Sequence, residues 1–367
     1  MSVPTQSSVG LEARLDAVRT AAADAALDAY LATSDESIAY LTGFRPMQLE
    51  RFFGVVVRAT GGAVVVPRLD EGQVADAPAA LERVSYEAAS DGIPELVAAL
   101  AGARSVGVEE DHIVLARTRA LEQRDVDPVP AGSIVASLRA RKDAAEIESI
   151  RRACELVEAG LQRMFAELRP GDVEHAVNAR VEGWLREQGA TAAHPLILFG
   201  ESGANPHGQP GPRRLREGDV VCADLSACLD GYWGDLTRCG TVGPPGGWAR
   251  AASAVVRDAQ AAAIEACRAG VPARDVDAAQ RRIVEAAAEL GRCLHGAGHA
   301  IGLAVHEPPF LVPRIDAPLE EGMVLTIEPG LYRPGTGGIR LEDDVVVGST
   351  GPEILSTLPL DLVELPS

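Results

Sequence analysis

The sequence predicts two domains: a small α/β domain, residues 1–138, followed by a larger α+β domain, residues 139–367, that carries the chemistry. Three observations lead there. The chain has 367 residues, and a domain commonly takes about 150. Helix-like and strand-like segments alternate up to about residue 135, after which the charged segment Arg139-Ala-Arg-Lys-Asp143 precedes a much longer helical pattern. The first part holds a single histidine, His112, whereas acidic and imidazole side chains in ligand-like patterns gather in the second.

Bulk composition narrows the function classes. A hydrophobic content of 47% is enough for sizeable cores, and the net charge of −19 argues against nucleic acid or an anionic membrane as the main partner. Lys142 is the sole lysine. The six cysteines form no C-x-x-C pair, so a structural zinc site is not expected and buried thiols are. The N-terminus shows no charged segment followed by an apolar one, and no stretch approaches 18 uncharged apolar residues. These features fit a reducing cytoplasm.

The elements follow in order. Residues 11–30 read as an alanine-rich amphipathic helix, with a short apolar run at Asp28–Thr33. The runs FFGVVVRA and GAVVVPR flank Thr60-Gly61-Gly62, a hairpin signal. ELVAALAG and SVGVEE continue the alternation, and His112 reads as a surface or turn residue. The pattern AAEIESIRRACELVEAGLQRMFAEL predicts a long helix that Arg169-Pro-Gly-Asp172 ends; Asp172 is expected to cap the next helix, VEHAVNARVEGWLREQG. His175 on that helix reads as structural. Two more alanine-rich helices are expected at about 248–268 and 273–290, so that two helix pairs are each followed by strand pairs.

Two strand pairs carry carboxylates. The runs DVVCADLSA and YWGDLTRCG surround Cys228-Leu-Asp-Gly231. With a four-residue loop, Asp224 and Asp235 face each other directly; a register shifted by two makes them diagonal neighbours on one face. The runs MVLTIE and GIRLEDDVVV surround Arg333-Pro-Gly-Thr-Gly337, and a symmetric pairing sets Glu328 opposite Glu342. Unpaired buried carboxylates cost several kcal/mol each or take up protons. Two divalent cations would balance four of them and supply hydrolytic chemistry. Three histidines cluster as His295-x3-His299-x6-His306 ahead of Glu307-Pro-Pro, and His299 is the expected nitrogen ligand.

With these segments in place, the chain resembles metallopeptidase family M24, the pita-bread hydrolases. It is most similar to the two-domain branch of Xaa-Pro aminopeptidases, prolidases and creatinases. DAYLATSDESIAYLTGF resembles the opening of that branch's N-terminal domain, and RKDAAEIESIRRA the start of its catalytic domain. GDVVCADLSACLDGYWGDLTR, HGAGHAIGLAVHEPP, GMVLTIEPGLY and GGIRLEDDVVV resemble its ligand-bearing motifs in order. The resemblance implies a creatinase/prolidase-type α/β N-terminal domain and an α+β pita-bread catalytic domain.

It also implies roles. Asp235 and Glu342 would bridge two metal ions; Asp224 would complete one coordination shell, and His299 with Glu328 the other. A water or hydroxide between the ions would be the nucleophile, with Glu328 relaying its proton. His306 and His295 would hydrogen-bond the scissile carbonyl or its tetrahedral intermediate. His207 matches a substrate-side histidine, and Arg340 an arginine that orients the centre. His194 matches nothing and reads as structural. The oxygen-rich donor set favours Mn²⁺, with Co²⁺, Fe²⁺ or Zn²⁺ as alternatives. A homodimer is expected from the resemblance alone.

The chain departs from the family at Ala300, where glycine often follows the metal histidine, and at Leu225-Ser226, where Phe-Gly is common. It also has Phe310 where similar prolidases often carry an arginine for a dipeptide's carboxylate. Phenylalanine cannot form that charge-assisted bond, so longer Xaa-Pro peptides are expected over dipeptides. The leading expectation is a dinuclear hydrolase of N-terminal Xaa-Pro bonds. The alternative is a metal-dependent hydrolase of a small non-peptide amide, creatinase-like or ectoine-hydrolase-like. Retention of all five ligands weighs against metal-free creatinase chemistry and against a non-catalytic binding protein.

Overall fold

The structure, a computed structural model, describes residues 8–47 and 50–367. Residues 1–7, part of the segment read above for a leader, lie outside the described residues. The chain forms two compact units that divide between Arg139 and Ala140.

In the N-terminal unit the order is α1 (Ser8–Asp24), β1 (Ala29–Ala32), α2 (Asp35–Thr42), β2 (Gly54–Arg58), β3 (Gly62–Pro67), β4 (Leu81–Tyr86), α3 (Ile93–Leu100), β5 (Ser105–Val108), α4 (Leu115–Glu122), β6 (Asp127–Pro130) and α5 (Ser133–Ala140). The strands form one mixed sheet in the order β4-β3-β2-β1-β5-β6. The β2–β3 hairpin falls where its sequence placed it, with Val57 opposite Gly62. The first helix is shorter than its alanine-rich pattern suggests. It stops at Asp24, and Ala29–Ala32 instead pairs with β2 and β5. Ala26 takes a positive φ of 56° and the Asp28 carboxylate accepts the Arg104 and Ser105 N–H groups, so pairing across the sheet overrides helix propensity. The buried Glu109 carboxylate takes the backbone N–H groups of Thr33 and Ser34 and the hydroxyls of Ser34 and Ser37.

The C-terminal unit begins with α6 (Ala144–Glu167) and α7 (Glu174–Glu187), followed by β7 (Ala192–Phe199), β8 (Val220–Leu229) and β9 (Tyr232–Val242). A second helix pair, α8 (Gly247–Ala266) and α9 (Ala273–Ala286), precedes β10 (Gly298–Ala300), β11 (Glu307–Leu311) and β12 (Val324–Ile327). Then come β13 (Gly330–Arg333), β14 (Gly337–Arg340), β15 (Asp343–Val347), β16 (Pro352–Ile354) and β17 (Val363–Leu365). The sheets run β17-β9-β8-β7, β11-β10-β12-β15-β16 and β13-β14. Each helix pair thus precedes its own sheet, the repeated order legible in the sequence.

Asp143 starts α6 with a reciprocal capping box to Glu146. The helix buries Ile150, Ala153, Cys154, Val157 and Leu161, one stripe at helical spacing, against β8 and β9. Asp172 does not cap α7 as expected. Val173 occupies the cap position, and the Asp172 carboxylate turns back to accept the Arg169 N–H. All six cysteines are free, five buried and Cys293 partly so.

Two registers decide the site. Between β8 and β9 the turn is Asp230-Gly231, with φ of 52° and 84°, and Leu229 faces Tyr232. A two-residue turn with both φ positive replaces the expected four-residue loop. Asp224 therefore faces Thr237 and Asp235 faces Ser226: the acids are diagonal neighbours, not direct partners. The second pair also differs from a simple hairpin. Ile327 opposes Asp343 in one ladder and Gly330 opposes Arg340 in another. The common register brings Glu328 level with Glu342, but the ladder breaks there, and Glu342 bridges to Thr237 on β9 instead.

Candidate metal centre

That bridge joins the two larger sheets at one point, and the chemistry gathers around it. One ligand atom each from Asp235, His299 and Glu342 lies within 4.8 Å of the other two, and all three residues are buried. Asp224 and Glu328 flank this cluster, with side chains 23% and 19% exposed, so the site opens to solvent on their side. All five expected ligands are thus in one place, although the tight cluster contains only three of them.

Local structure sets each side chain. Gly298 has φ of 149°, and a Cβ there would lie 2.0 Å from the Thr326 carbonyl oxygen; this close approach seats the following residue, His299, on β12. The His299 backbone N–H donates to Thr326 Oγ1 at 3.1 Å. Its ring Nδ1 lies 3.1 Å from the Ala300 carbonyl, which can only accept, so Nδ1 carries the proton and Nε2 keeps its lone pair. Nε2 stands 3.7 Å from Glu328 Oε1. Glu342 Oε2 accepts from Thr237 Oγ1 at 2.6 Å, and its backbone N–H donates to the Thr237 carbonyl.

Arg340 is buried and fully used. It donates through Nη2 to Asp224 Oδ2, through Nε to Thr237 Oγ1 at 3.1 Å and through Nη1 to the Tyr332 hydroxyl at 2.9 Å. It compensates Asp224 and leaves Asp235, Glu342 and Glu328 without an arginine or lysine ion pair among the described residues. Burial pushes Asp235 and Glu342 well above the usual carboxylate range and Glu328 up to about 7. Asp235 Oδ1 is buried and has no hydrogen-bond partner. Buried acids crowded together with an orphaned oxygen and a histidine lone pair are what a divalent cation satisfies. The donor set fits the expected metals.

Both ring nitrogens of His295 have partners within the protein. Its Nδ1 lies 2.9 Å from the Gly296 carbonyl and its Nε2 lies 2.7 Å from the Tyr332 hydroxyl. The carbonyl fixes the proton on Nδ1, so Nε2 accepts from Tyr332. Both nitrogens are engaged, and His295 anchors Tyr332 and Arg340 rather than presenting a free N–H. Burial lowers its pKa to about 4, which keeps the ring neutral. His306 is exposed, its ring edge-on to His299 with centroids 4.1 Å apart. His207 is exposed in the loop after Gly200–Ala204 and close enough to weigh on the protonation of His295 and His306. His194 is exposed, stacked against Trp233 with centroids 4.9 Å apart. Phe310, opposite His299 in the β10–β11 ladder, is 38% exposed and not a core residue.

Sequence reasoning missed Thr237, Tyr332 and the Lys142–Glu307 pair. Thr237 and Tyr332 are ordinary strand residues until the fold crosses the two sheets. Lys142 Nζ meets Glu307 Oε2 at 3.1 Å with both side chains almost wholly buried, and Glu307 Oε1 accepts the Ala304 N–H. The pair fastens the loop that ends in His306. Lys142, as the only lysine, was the one visible signal.

Residues 148–349 match the model of metallopeptidase family M24, and residues 14–141 that of the creatinase/prolidase N-terminal domain. The putative dipeptidase YkvY of Bacillus subtilis is 36% identical over 343 residues, 90% of this chain and 93% of that protein. The probable dipeptidase PepE of Mycobacterium tuberculosis is 34% identical over 360 residues, 96% of each chain. The solved Xaa-Pro dipeptidase from Bacillus anthracis superposes with a TM-score of 0.90 at 30% identity, covering 97% of this chain and all of that one. Domain order and fold agree: the chain belongs to metallopeptidase family M24 and is a metallopeptidase with a creatinase/prolidase-type N-terminal domain and a pita-bread catalytic domain.

Proposed function

We propose that this metallopeptidase is a dinuclear enzyme that cleaves N-terminal Xaa-Pro bonds. The observation that carries the metal reading is the buried cluster of Asp235, His299 and Glu342 with its orphaned carboxylate oxygen. Asp224, Asp235, His299, Glu328 and Glu342 would hold the two divalent ions; Mn²⁺ is the first choice for this donor set. When bound, such ions polarise a carbonyl and lower the pKa of water.

The protein's own groups do the rest. Arg340 holds Asp224 in place through an ion pair, and Tyr332 and His295 hold Arg340. Glu328, whose side chain is 19% exposed, would take and return a proton. His306, exposed beside His299, is placed to donate to the oxygen of a substrate carbonyl as charge develops there. His207 stands on the substrate side. A homodimer and a cytoplasmic location belong to the same proposal. No helix among the described residues is long and apolar enough to cross a membrane.

The Xaa-Pro preference is supported by the names of the relatives: the Bacillus anthracis structure is an Xaa-Pro dipeptidase and a Pyrococcus horikoshii neighbour a prolidase. Phe310 supports a second reading, on length, because an exposed apolar ring beside the centre offers nothing to a dipeptide's carboxylate. The test is kcat/KM of the Mn²⁺-loaded protein on Ala-Pro, Ala-Pro-Ala, Ala-Ala and a small N-acyl amide. Cleavage of the proline substrates well above Ala-Ala is expected. Hydrolysis of the amide alone would replace the peptide reading, and a clear preference for Ala-Pro over Ala-Pro-Ala would remove the role given to Phe310.

A further inference from the structure

Two cysteines sit further along the same face of β8–β9 as the acids. Cys222 and Cys239 oppose each other directly. The tight turn fixes the kind of pair they make. Leu229 and Tyr232 close it as a hydrogen-bonded pair, and hydrogen-bonded and non-hydrogen-bonded pairs alternate from there in unbroken register. By that alternation Cys222–Cys239 is a non-hydrogen-bonded pair. Such pairs hold their Cα atoms about 4.5 Å apart, inside the span of about 4.4–6.8 Å that a disulfide bridges.

The side chains also meet. Both cysteines are buried in one apolar cluster with Val220, Ile339 and Leu341, and each thiol is near enough to weigh on the other's protonation. The pair is wired to the centre: Cys239 Sγ donates to the Arg340 carbonyl at 3.3 Å, and the Arg340 side chain holds Asp224, Thr237 and Tyr332. Asp224 and Thr237, themselves opposed, are each two residues from a cysteine on the same face.

We propose that Cys222 and Cys239 form an oxidative modification site, closed by hydrogen peroxide to a cross-strand disulfide that weakens metal binding through Arg340. One thiol takes an oxygen from the peroxide, whose O–O bond breaks, giving a sulfenic acid and one water. The second thiol displaces the sulfenic oxygen as a second water and forms the S–S bond. Two thiol hydrogens and two electrons have then passed to one peroxide. A small neutral oxidant suits a pair this deeply buried, and reduction by dithiothreitol reverses the change. Bridging removes the S–H donor to the Arg340 carbonyl and fixes β8 to β9 beside Asp224 and Thr237.

The test exposes the full-length metal-free protein to a small excess of hydrogen peroxide and then blocks remaining thiols. Trypsin cleaves after Arg238 and so separates the two cysteines, and non-reducing mass spectrometry finds whether their peptides stay linked. Calorimetric titration with Mn²⁺ is run on the oxidised, re-reduced and untreated protein. The linked peptides are expected, with Mn²⁺ affinity lowered roughly 10–100-fold, the range seen when a ligand's supporting partner is lost, and restored by dithiothreitol. A Cys222→Ala/Cys239→Ser variant should bind Mn²⁺ like the untreated protein and stay indifferent to peroxide. Separately blocked thiols, or a bridge that leaves Mn²⁺ affinity unchanged, would overturn the proposal. The metal effect rests on the proposed centre, but the linkage is read without it: untreated protein that fails to bind Mn²⁺ would count against the centre itself.

Discussion

Asp224 and Asp235 stand on one uninterrupted hairpin, whereas Glu328 and Glu342 stand where two ladders break. In the first pair a two-residue turn sets the offset of the acids, and β8 and β9 keep that register from Leu229–Tyr232 to Val220–Thr241. In the second the register continues on both sides, but the strands part between Ile327 and Gly330, and Glu342 leaves its own ladder to bridge Thr237. An unbroken ladder orders side chains along one face of one sheet. It cannot bring donors from two sheets to one ion. The break does that, and it puts Glu342 and His299 within reach of Asp235.

The sharpest way to break this comparison is to remove the carboxylate where the two halves meet. Asp235→Asn should lower kcat by more than the ~10–100-fold typical of a supporting residue and reduce bound metal. The metal-free fold should be kept, because a neutral amide of the same shape replaces an acid that burial and crowding already favour in its neutral form. Circular dichroism, metal content and turnover measured together decide it; normal turnover would rule out the role given to Asp235.

His306 belongs to neither acidic pair. His306→Ala should lower kcat by ~10²–10³-fold, the usual cost of losing one donor to a developing oxyanion, with metal content unchanged. A variant that lost its metal and regained normal activity on reloading would make His306 a support for His299 only.

A smaller effect separates the metal-free from the loaded protein. Burial raises Glu328 and Asp344 to about 7 and Asp235 and Glu342 well above their usual range. The folded metal-free state therefore holds protons that the unfolded chain has released above a pH of about 4. Stability from these groups is fully present below that pH and is lost as pH rises through the folded values. His295 and His299, lowered to about 4 and about 3, act in the opposite sense, but only below a pH of about 6.5. Urea midpoints of the metal-free protein should thus fall between pH 6.5 and 8, and those of the loaded protein should change less. Equal slopes would mean that the acids are not crowded as described.

Much of this was legible in the chain. Motif order located the five side chains that the fold gathers at the candidate centre, and alternation located the strands that carry or flank them. The offset of Asp224 and Asp235 was not, because CLDG can turn in two residues or four, and only the positive φ of Asp230 and Gly231 chooses. The Asp172 cap failed because α7 starts one residue later, with Val173 at the cap position, and the Asp172 carboxylate accepts the Arg169 N–H instead. Thr237 was invisible because its contacts come from residues 103 and 105 positions away in sequence, and Tyr332 because its hydroxyl gains importance only where Arg340 and His295 meet on it. The contacts of His295 were not legible, because a motif shows a histidine's presence and not which partners its nitrogens take.

The central claim is that five side chains from two sheets hold two divalent ions. Elemental analysis of the purified protein after loading with Mn²⁺ and removal of excess metal tests it most directly, with Asp235→Asn and Glu342→Gln treated in parallel. The account predicts about two ions per chain in the native protein and fewer in either variant. Full peptidase activity without metal, or the same metal content in all three proteins, would contradict it.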